Sequence, residues 1–374
     1  MRRAQKLNRR RLIGAGAAAL GIGFSARPLV GRADSQPMRL LCWAGYNDPE
    51  LIGAFTDQTR IPVEAWTIGA NDEIFLKLRA GGLGFYDLVT PQNGVVQGLI
   101  DVDLIGQLDQ TKLSHAADYL PQFQQPDWAV RNGAMYAAPC LWGSAPLAYN
   151  AKLLPIPPAR WIDLQGEAYR RKVVMLDDGV GHLKVWNRAL GAVDPTRVTP
   201  DELERSVQTL MTFKAENVIA FVGKIEDLAG HLVSGDAWVS SIASEVVPTL
   251  DVAKNEDLQI SHPLPGDFTF SDAFSLVKGA PSPDSAHAFI DYLISPEVQA
   301  KLMNRLRRGV VNANAIELLD DTSSGLYPYD NLAPFFAANP LMGFPPFDTS
   351  DAKIASYPDW VTAWDRVRYA KMAK

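Results

Sequence analysis

The sequence predicts an α/β protein with mainly parallel sheets, and two observations carry that prediction. From residue 39 onward, short apolar stretches of strand length alternate with longer amphipathic stretches of helix length. Several of the helices also open on a capping residue followed by proline. Residues 39–43 form the first strand. Asp48-Pro49-Glu50 then starts a helix, with Asp48 placed to cap it and Pro49 at the first helical position, where a missing N–H costs nothing. Leu51, Ile52 and Phe55 supply the buried face of that helix. Strands at 63–66 and 87–90 are separated by a helix over 72–80, and the theme repeats with strands at 172–176, 219–222 and 274–277. Thr199-Pro200-Asp201-Glu202 is a capping box, and Ser282-Pro283 and Ser295-Pro296-Glu297 open two further helices. Ligands of open α/β sheets sit beyond the carboxyl ends of the strands, which directs attention to 43–46, 91–94 and 177–181.

The amino terminus reads as an export signal. Arg2, Arg3, Lys6, Arg9, Arg10 and Arg11 precede an apolar run over 12–24, and Gly31-Arg32-Ala33 offers a small-x-small cleavage site. The run is 13 residues long, short of the roughly 18 apolar residues that a spanning helix needs. Arg9-Arg10-Arg11-Leu12-Ile13 fits the twin-arginine pattern, with an ordinary Sec signal as the alternative. Residues 1–33 are therefore expected to leave, and the mature protein is expected in the periplasm. No cysteine stands at the cleavage site, which argues against a lipoprotein.

Eight of the 36 basic residues and none of the 42 acidic residues lie within the first 33 positions, so the exported chain has 28 against 42 and a formal charge of −14. Such a surface repels nucleic acid and anionic lipid and mildly favours a cationic ligand. Cys42 and Cys140 enter an oxidising compartment, and both a disulfide and two buried thiols are compatible with their apolar settings. The five histidines (His115, His182, His231, His262, His287) are scattered without metal-ligand spacing, so no metal or cofactor is expected. There is no P-loop, HExxH or GxSxG motif, and the glycine-rich stretch at 14–19 lies inside the export signal and follows no strand. Enzyme activity is accordingly disfavoured.

Several phrases in order along the chain carry a resemblance to a known family. They are Trp43-Ala44-Gly45-Tyr46, Tyr86-Asp87-Leu88-Val89-Thr90-Pro91, Ala138-Pro139-Cys140-Leu141-Trp142-Gly143, Leu176-Asp177-Asp178, Ala288-Phe289-Ile290-Asp291-Tyr292-Leu293 and Ser295-Pro296-Glu297-Val298. From residue 39 almost to its end the chain resembles the spermidine/putrescine-binding proteins, a branch of the periplasmic solute-binding proteins of ABC transporters. The resemblance implies a type II-like fold of two α/β lobes with a ligand cleft between them. One lobe is expected from 34–145 with 271–322, and the other from 146–270 with 323–374. The implied partners are a small solute and an inner-membrane ABC permease, with the binding protein itself a monomer. A periplasmic enzyme on the same fold and a sensor subunit remain the alternatives.

By the same resemblance, Trp43 and Tyr46 fall on aromatic cleft positions, Asp178 and Asp272 on amine-holding carboxylates, Phe270 on an aromatic wall, and Gln92 and Asn93 on a hydrogen-bonding loop. Each also has a purely structural reading: Trp43 and Tyr46 as core, Asp178 as a helix cap, Gln92 and Asn93 as turn residues. Gly45 and Gly181 stand where the family carries carboxylates, and Ala243 and Val310 where it carries aromatics. These departures imply a bulkier, less cationic solute than a polyamine. His182 offers a neutral partner beside Gly181, unless Trp238 or Phe268 refills the space.

Overall fold

The structure, a computed structural model, describes residues 36–254, 257–347 and 350–372. The export signal read over 1–33 lies outside the described residues.

The first lobe begins with β1 (Met38–Trp43), whose alternate residues are buried on both faces. Asp48 caps α1 (Pro49–Thr59) by accepting from Leu51 N at 3.0 Å, and Leu51 and Phe55 form its buried stripe. Then β2 (Val63–Ile68) and β3 (Leu88–Val89) flank β1 on either side, both parallel to it, with α2 (Asp72–Lys77) between them in the chain. After α3 (Asn93–Asp101), β4 (Val130–Arg131) and β5 (Ala134–Met135) pair across Asn132-Gly133. Both turn residues have positive φ (54° and 77°), the conformation that an Asn-Gly hairpin supplies cheaply.

The fully buried β6 (Ala138–Ser144) carries the chain across the joint into β7 (Leu147–Asn150) of the second sheet. The second lobe adds β8 (Val173–Leu176), α4 (Gly179–Ala189), α5 (Pro200–Asn217), β9 (Val218–Val222), α6 (Ile225–Ser234), β10 (Val239–Ser240) and β11 (Leu258–Ser261). The capping box of α5 is reciprocal: Thr199 Oγ1 accepts from Glu202 N, and Glu202 accepts from Thr199 N. The chain returns through β12 (Thr269–Leu276), which inserts beside β6, and α7 (Pro283–Leu293), α8 (Pro296–Leu306) and β13 (Gly309–Val310) complete the first lobe. Proline opens α7 and α8 at the expected places, but neither Ser282 nor Ser295 caps through its side chain.

The sheets run β13-β6-β12-β3-β1-β2 and β11-β7-β10-β8-β9. Parallel pairing is found where strand–helix units follow one another, in β2-β1-β3 and β10-β8-β9. The strands that leave and re-enter a lobe pair antiparallel, because the chain goes out along β6 and comes back along β12. Each sheet is therefore mixed.

The chain from Ser323 does not stay on the second lobe. After α9 (Asp321–Gly325), Tyr327 and then Leu332 and Phe336 of α10 (Leu332–Ala338) pack into the first core around Trp142. The Trp142 ring lies 4.5 Å from Tyr327 and 4.8 Å from Phe336, and its Nε1 donates to Val310 O at 2.9 Å. A Cβ on Gly309 would overlap this indole. The chain then crosses the joint a third time, and α11 (Tyr357–Tyr369) buries Trp360, Trp364 and Val367 in the second core. Among the described residues, no helix is long and apolar enough to cross a membrane.

Cys42 and Cys140 are free thiols in the first core, and burial pushes the Cys42 thiol up to about 12. Neither is then a competent thiolate at neutral pH. Under non-reducing conditions, a thiol reagent should find no reactive cysteine in the native protein and both after unfolding. Protection from the reagent after unfolding would reveal a disulfide.

Candidate ligand-binding site

A cavity of about 210 Å³ lies where the three crossings meet, walled by both lobes. From the first lobe come Gln92 and Asn93 after β3, Phe270 of β12 and Arg308 before β13. From the second come Asp178, Val180, Gly181 and Lys184 around α4, with Ala243 and Ser244 after β10. Ser144, Ala145, Phe268 and Phe344 line it from the crossing segments. The site thus lies at strand ends and helix starts, as an open α/β sheet dictates.

The polar groups of this cavity differ in how far the protein satisfies them. Asp178 caps α4, accepting from Gly181 N at 2.9 Å, while its carboxylate also borders the cavity. Asn93 is spent on structure: Oδ1 accepts from Ser271 N at 3.1 Å and Nδ2 donates to Met342 O at 3.0 Å. Gln92 is held through its Oε1 by Asn71 Nδ2 at 2.9 Å. Arg308 lies over the Phe270 ring at 5.6 Å and donates to Ser244 Oγ at 2.7 Å and Glu245 Oε2 at 3.5 Å. Glu245 is buried and also accepts from Ser144 N; burial raises its carboxyl, and Arg308 works against that rise. Lys184 is 2% exposed, with its ammonium 4.7 Å from the Phe268 centroid and 4.6 Å from that of Phe344. Burial pulls its pKa down to about 8 against the pull of Asp178. Among the described residues, no group of His, Cys, Asp and Glu is arranged to hold a metal ion.

Residues 50–325 match the bacterial extracellular solute-binding protein family. The chain belongs to this family. It is 24% identical over 329 residues to the spermidine/putrescine-binding periplasmic protein of Salmonella typhimurium, covering 85% of this chain and 89% of that one. It is 26% identical over 327 residues to the putrescine/agmatine-binding protein of Pseudomonas aeruginosa, covering 79% and 87%. The solved spermidine/putrescine ABC transporter substrate-binding protein of Streptococcus pneumoniae has the same fold, with a TM-score of 0.73, 24% identity, and 89% of this chain and 100% of that chain covered.

Within this solute-binding protein, the residues expected from the sequence separate into two groups. Gln92, Asn93, Asp178 and Phe270 border the cavity together. Trp43, Tyr46 and Asp272 are not among its lining residues. Trp43 is half-buried between two core clusters. Tyr46 is 1% exposed, edge-on to Phe274, and donates to Asp272 Oδ2 at 3.3 Å. Tyr46 lies in the turn after β1, and both it and Asp272, on β12, are buried.

The expected free volume is also largely absent. Gly45 has φ +103° and a Cβ there would stand 2.8 Å from Leu306 Cδ2. A Cβ on Gly181 would overlap the Asp178 carboxylate, and Val310 is fully buried. Of the four, Gly181 and Ala243 border the cavity. Trp238 packs instead against the Lys172 ammonium at 3.5 Å. His182 is fully buried and spent on Asp178 O and Ser241 Oγ, so it faces no solute.

Lys184, Arg308, Ser244 and Phe344 were not singled out from the sequence as lining residues, while Phe268 was named there only as a side chain that could refill the cleft. Lys184 carried a signal nonetheless. It interrupts Leu183-Lys184-Val185-Trp186, a stretch apolar on every other position, so a helix there must bury it.

Burial raises the Asp272 carboxyl to about 6, although Arg308 and Tyr46 favour its charged form. The folded protein therefore holds this proton more tightly than the unfolded chain does. The resulting cost is absent below the ordinary carboxylate range and grows as pH rises through about 6. Asp272→Asn keeps an acceptor for Tyr46 without the charge. It should stabilise the solute-free protein by roughly 2–3 kcal/mol at pH 7.5 and by almost nothing near pH 4. Urea denaturation at both pH values checks this, and a variant destabilised at pH 7.5 would mean that the carboxylate is needed for folding.

Proposed function

We propose that this chain is the periplasmic solute-binding component of an ABC importer. It is exported through its amino-terminal signal and works as a monomer. It takes a small amine-containing solute into the cavity between its lobes and presents it to an inner-membrane permease without changing it chemically. The observation that carries this reading is the position of the cavity, at the joint of three chain crossings with lining residues from both lobes. A solute there touches both lobes at once, so it binds a closed arrangement more tightly than an open one and draws the lobes together. The curated relatives named above bind polyamines, which supports an amine as part of the solute.

In this reading Asp178 takes the solute's ammonium, Phe268 and Phe270 provide aromatic walls, and Gln92 and Asn93 shape the first-lobe side. Trp43, Tyr46 and Asp272 act from outside the lining. An aromatic face attracts a cation by roughly 0.5–2 kcal/mol, more as water is excluded. A charge-assisted hydrogen bond to the carboxylate adds about 1.5–3 kcal/mol.

Mass spectrometry of small molecules released from the purified protein identifies the solute. X-ray scattering with and without it should then record a smaller radius of gyration on binding, with the solute recovered intact. Tight binding at an unchanged radius would contradict lobe closure, and consumption of the solute would favour an enzyme. Asp178→Asn retains an equally good helix cap but loses the charge. It should weaken binding roughly tenfold to a hundredfold with little change in stability. Equal affinity in this variant removes Asp178 from the ammonium site. For the export route, replacing Arg9, Arg10 and Arg11 by lysine should leave the precursor in the cytoplasm. Normal export of that variant would assign the signal to the Sec route.

A further inference from the structure

The charged groups that border the cavity do not suit a polyamine. Lys184, Arg308 and Asp178 line it, two cations against one carboxylate. Glu245 and Asp272 are buried and not among the lining residues, and Glu245 is already committed to Arg308 and Ser144. Setting the Arg308–Glu245 pair aside leaves one ammonium, that of Lys184, and one carboxylate, that of Asp178. A dication placed here would meet a single exposed carboxylate and stand beside a buried ammonium of the same sign.

Lys184 is the unusual member. Its side chain is almost wholly buried, yet its ammonium makes no hydrogen bond and has no carboxylate within 4.0 Å among the described residues. Three donors are therefore turned toward the cavity between two phenylalanine rings. A buried cation is costly unless it is paired, and ring faces supply no acceptor oxygen. The lowered pKa reports the same desolvation. The side chain is fixed because the neighbours of Lys184 on α4, Leu183 and Trp186, belong to the second core. Lys184 leaves α4 on the cavity side six residues after the cap, and helical side chains lean toward the helix start, so its ammonium and the Asp178 carboxylate face one solute.

We propose that Lys184 holds a carboxylate of the solute, so that the natural solute is an amino-acid-type zwitterion whose acidic end sits on Lys184 and whose amine sits on Asp178. This rests on the solute-binding role proposed above and specifies the solute. Pairing removes the cost of the bare ammonium only when the cavity is filled. Binding then gains from a group that the empty protein leaves unsatisfied, and a diamine of equal length cannot collect that gain.

The test uses the mature chain freed of bound solute, with calorimetric titration of matched probes. These are 4-aminobutanoate against 1,4-diaminobutane, 5-aminopentanoate against 1,5-diaminopentane, and the common α-amino acids. The solute released from the protein as purified is identified in parallel. The released solute should carry a carboxylate, and zwitterions should bind at least about tenfold more tightly than diamines of the same length. Lys184→Met should lose roughly a hundredfold in affinity for the zwitterion at an unchanged or raised melting temperature, and Lys184→Arg should recover part of the loss. If Lys184 serves only to pack against the two rings, the methionine variant melts lower and binds as before, which overturns the proposal. A released solute without an acidic group overturns it as well. A diamine that closes the lobes of the Lys184→Met variant as it does the parent rejects the zwitterion alone and leaves the binding role standing. A chain that releases no solute and closes on no probe fails as a binding protein, and the proposal falls with it.

Discussion

Glu245 lies in the second lobe with almost none of its surface exposed, and its carboxylate is met from the first lobe by Arg308 and from the end of β6 by the Ser144 amide. Removing either charged side chain would leave the other charge buried without its partner, a loss of several kcal/mol in proteins generally. The arrangement of the cavity depends on this cluster. Arg308 stands immediately before β13, the edge strand beside β6, and its guanidinium spans the joint to Ser244 and Glu245. Ser144 ends the strand that carries the chain across. The ion pair therefore ties the two lobes together beside the cavity, and Arg308 holds its guanidinium over the Phe270 ring, which borders the same cavity.

A second set of contacts stitches the returning crossings. Asp267 N donates to Asn339 Oδ1 at 3.0 Å, and Arg188 Nη1 donates to both Asp267 O and Ala338 O at 2.9 Å. Gly266 accepts this closeness because its φ of +108° and missing side chain leave room for the Ala338 carbonyl. Phe344 lies on the third crossing, and Gly94 at the start of α3 leaves it the space it occupies. A wall residue is thus supplied by a segment about 250 positions from the helix it packs against, which is why α3 gives no hint of it in the sequence.

The strand–helix alternation, the α5 capping box and the proline-led helix starts were legible because each depends on residues close together in the chain. The antiparallel half of each sheet was not legible, because pairing across a crossover is set by where the chain returns. At the site, strand ends gave the right neighbourhood and family positions gave four lining residues. Reading glycines as empty space failed for a physical reason: Leu306 fills the place beside Gly45, and the Asp178 cap fills the place beside Gly181. A missing side chain marks free volume only when no other segment has moved in, and that depends on residues far away in sequence.

Asp178 and Lys184 make α4 a wall of the cavity as well as a packed helix. Trp364 of α11 lies so close over Gly179 that a Cβ there would overlap it, and His182 stacks on the same indole at 5.1 Å. His182 donates from Nδ1 to Asp178 O at 2.8 Å, which leaves Nε2 to accept from Ser241 Oγ at 2.6 Å and keeps the ring neutral. Burial also holds its pKa below the usual histidine range, so acid down to that range does not release the contact. The start of α4 is therefore clamped from the side away from the cavity, by the carboxy-terminal helix and by a neutral histidine. The Asp178 carboxylate and the Lys184 ammonium, both bordering the cavity, are thus held on a packed helix, and a group held in place in advance costs little to order when something binds it. Their spacing is a property of the fold, while their chemistry depends on two side chains that contribute little to the sheets. A fold of this kind can change its solute by exchanging such residues and leave both cores intact.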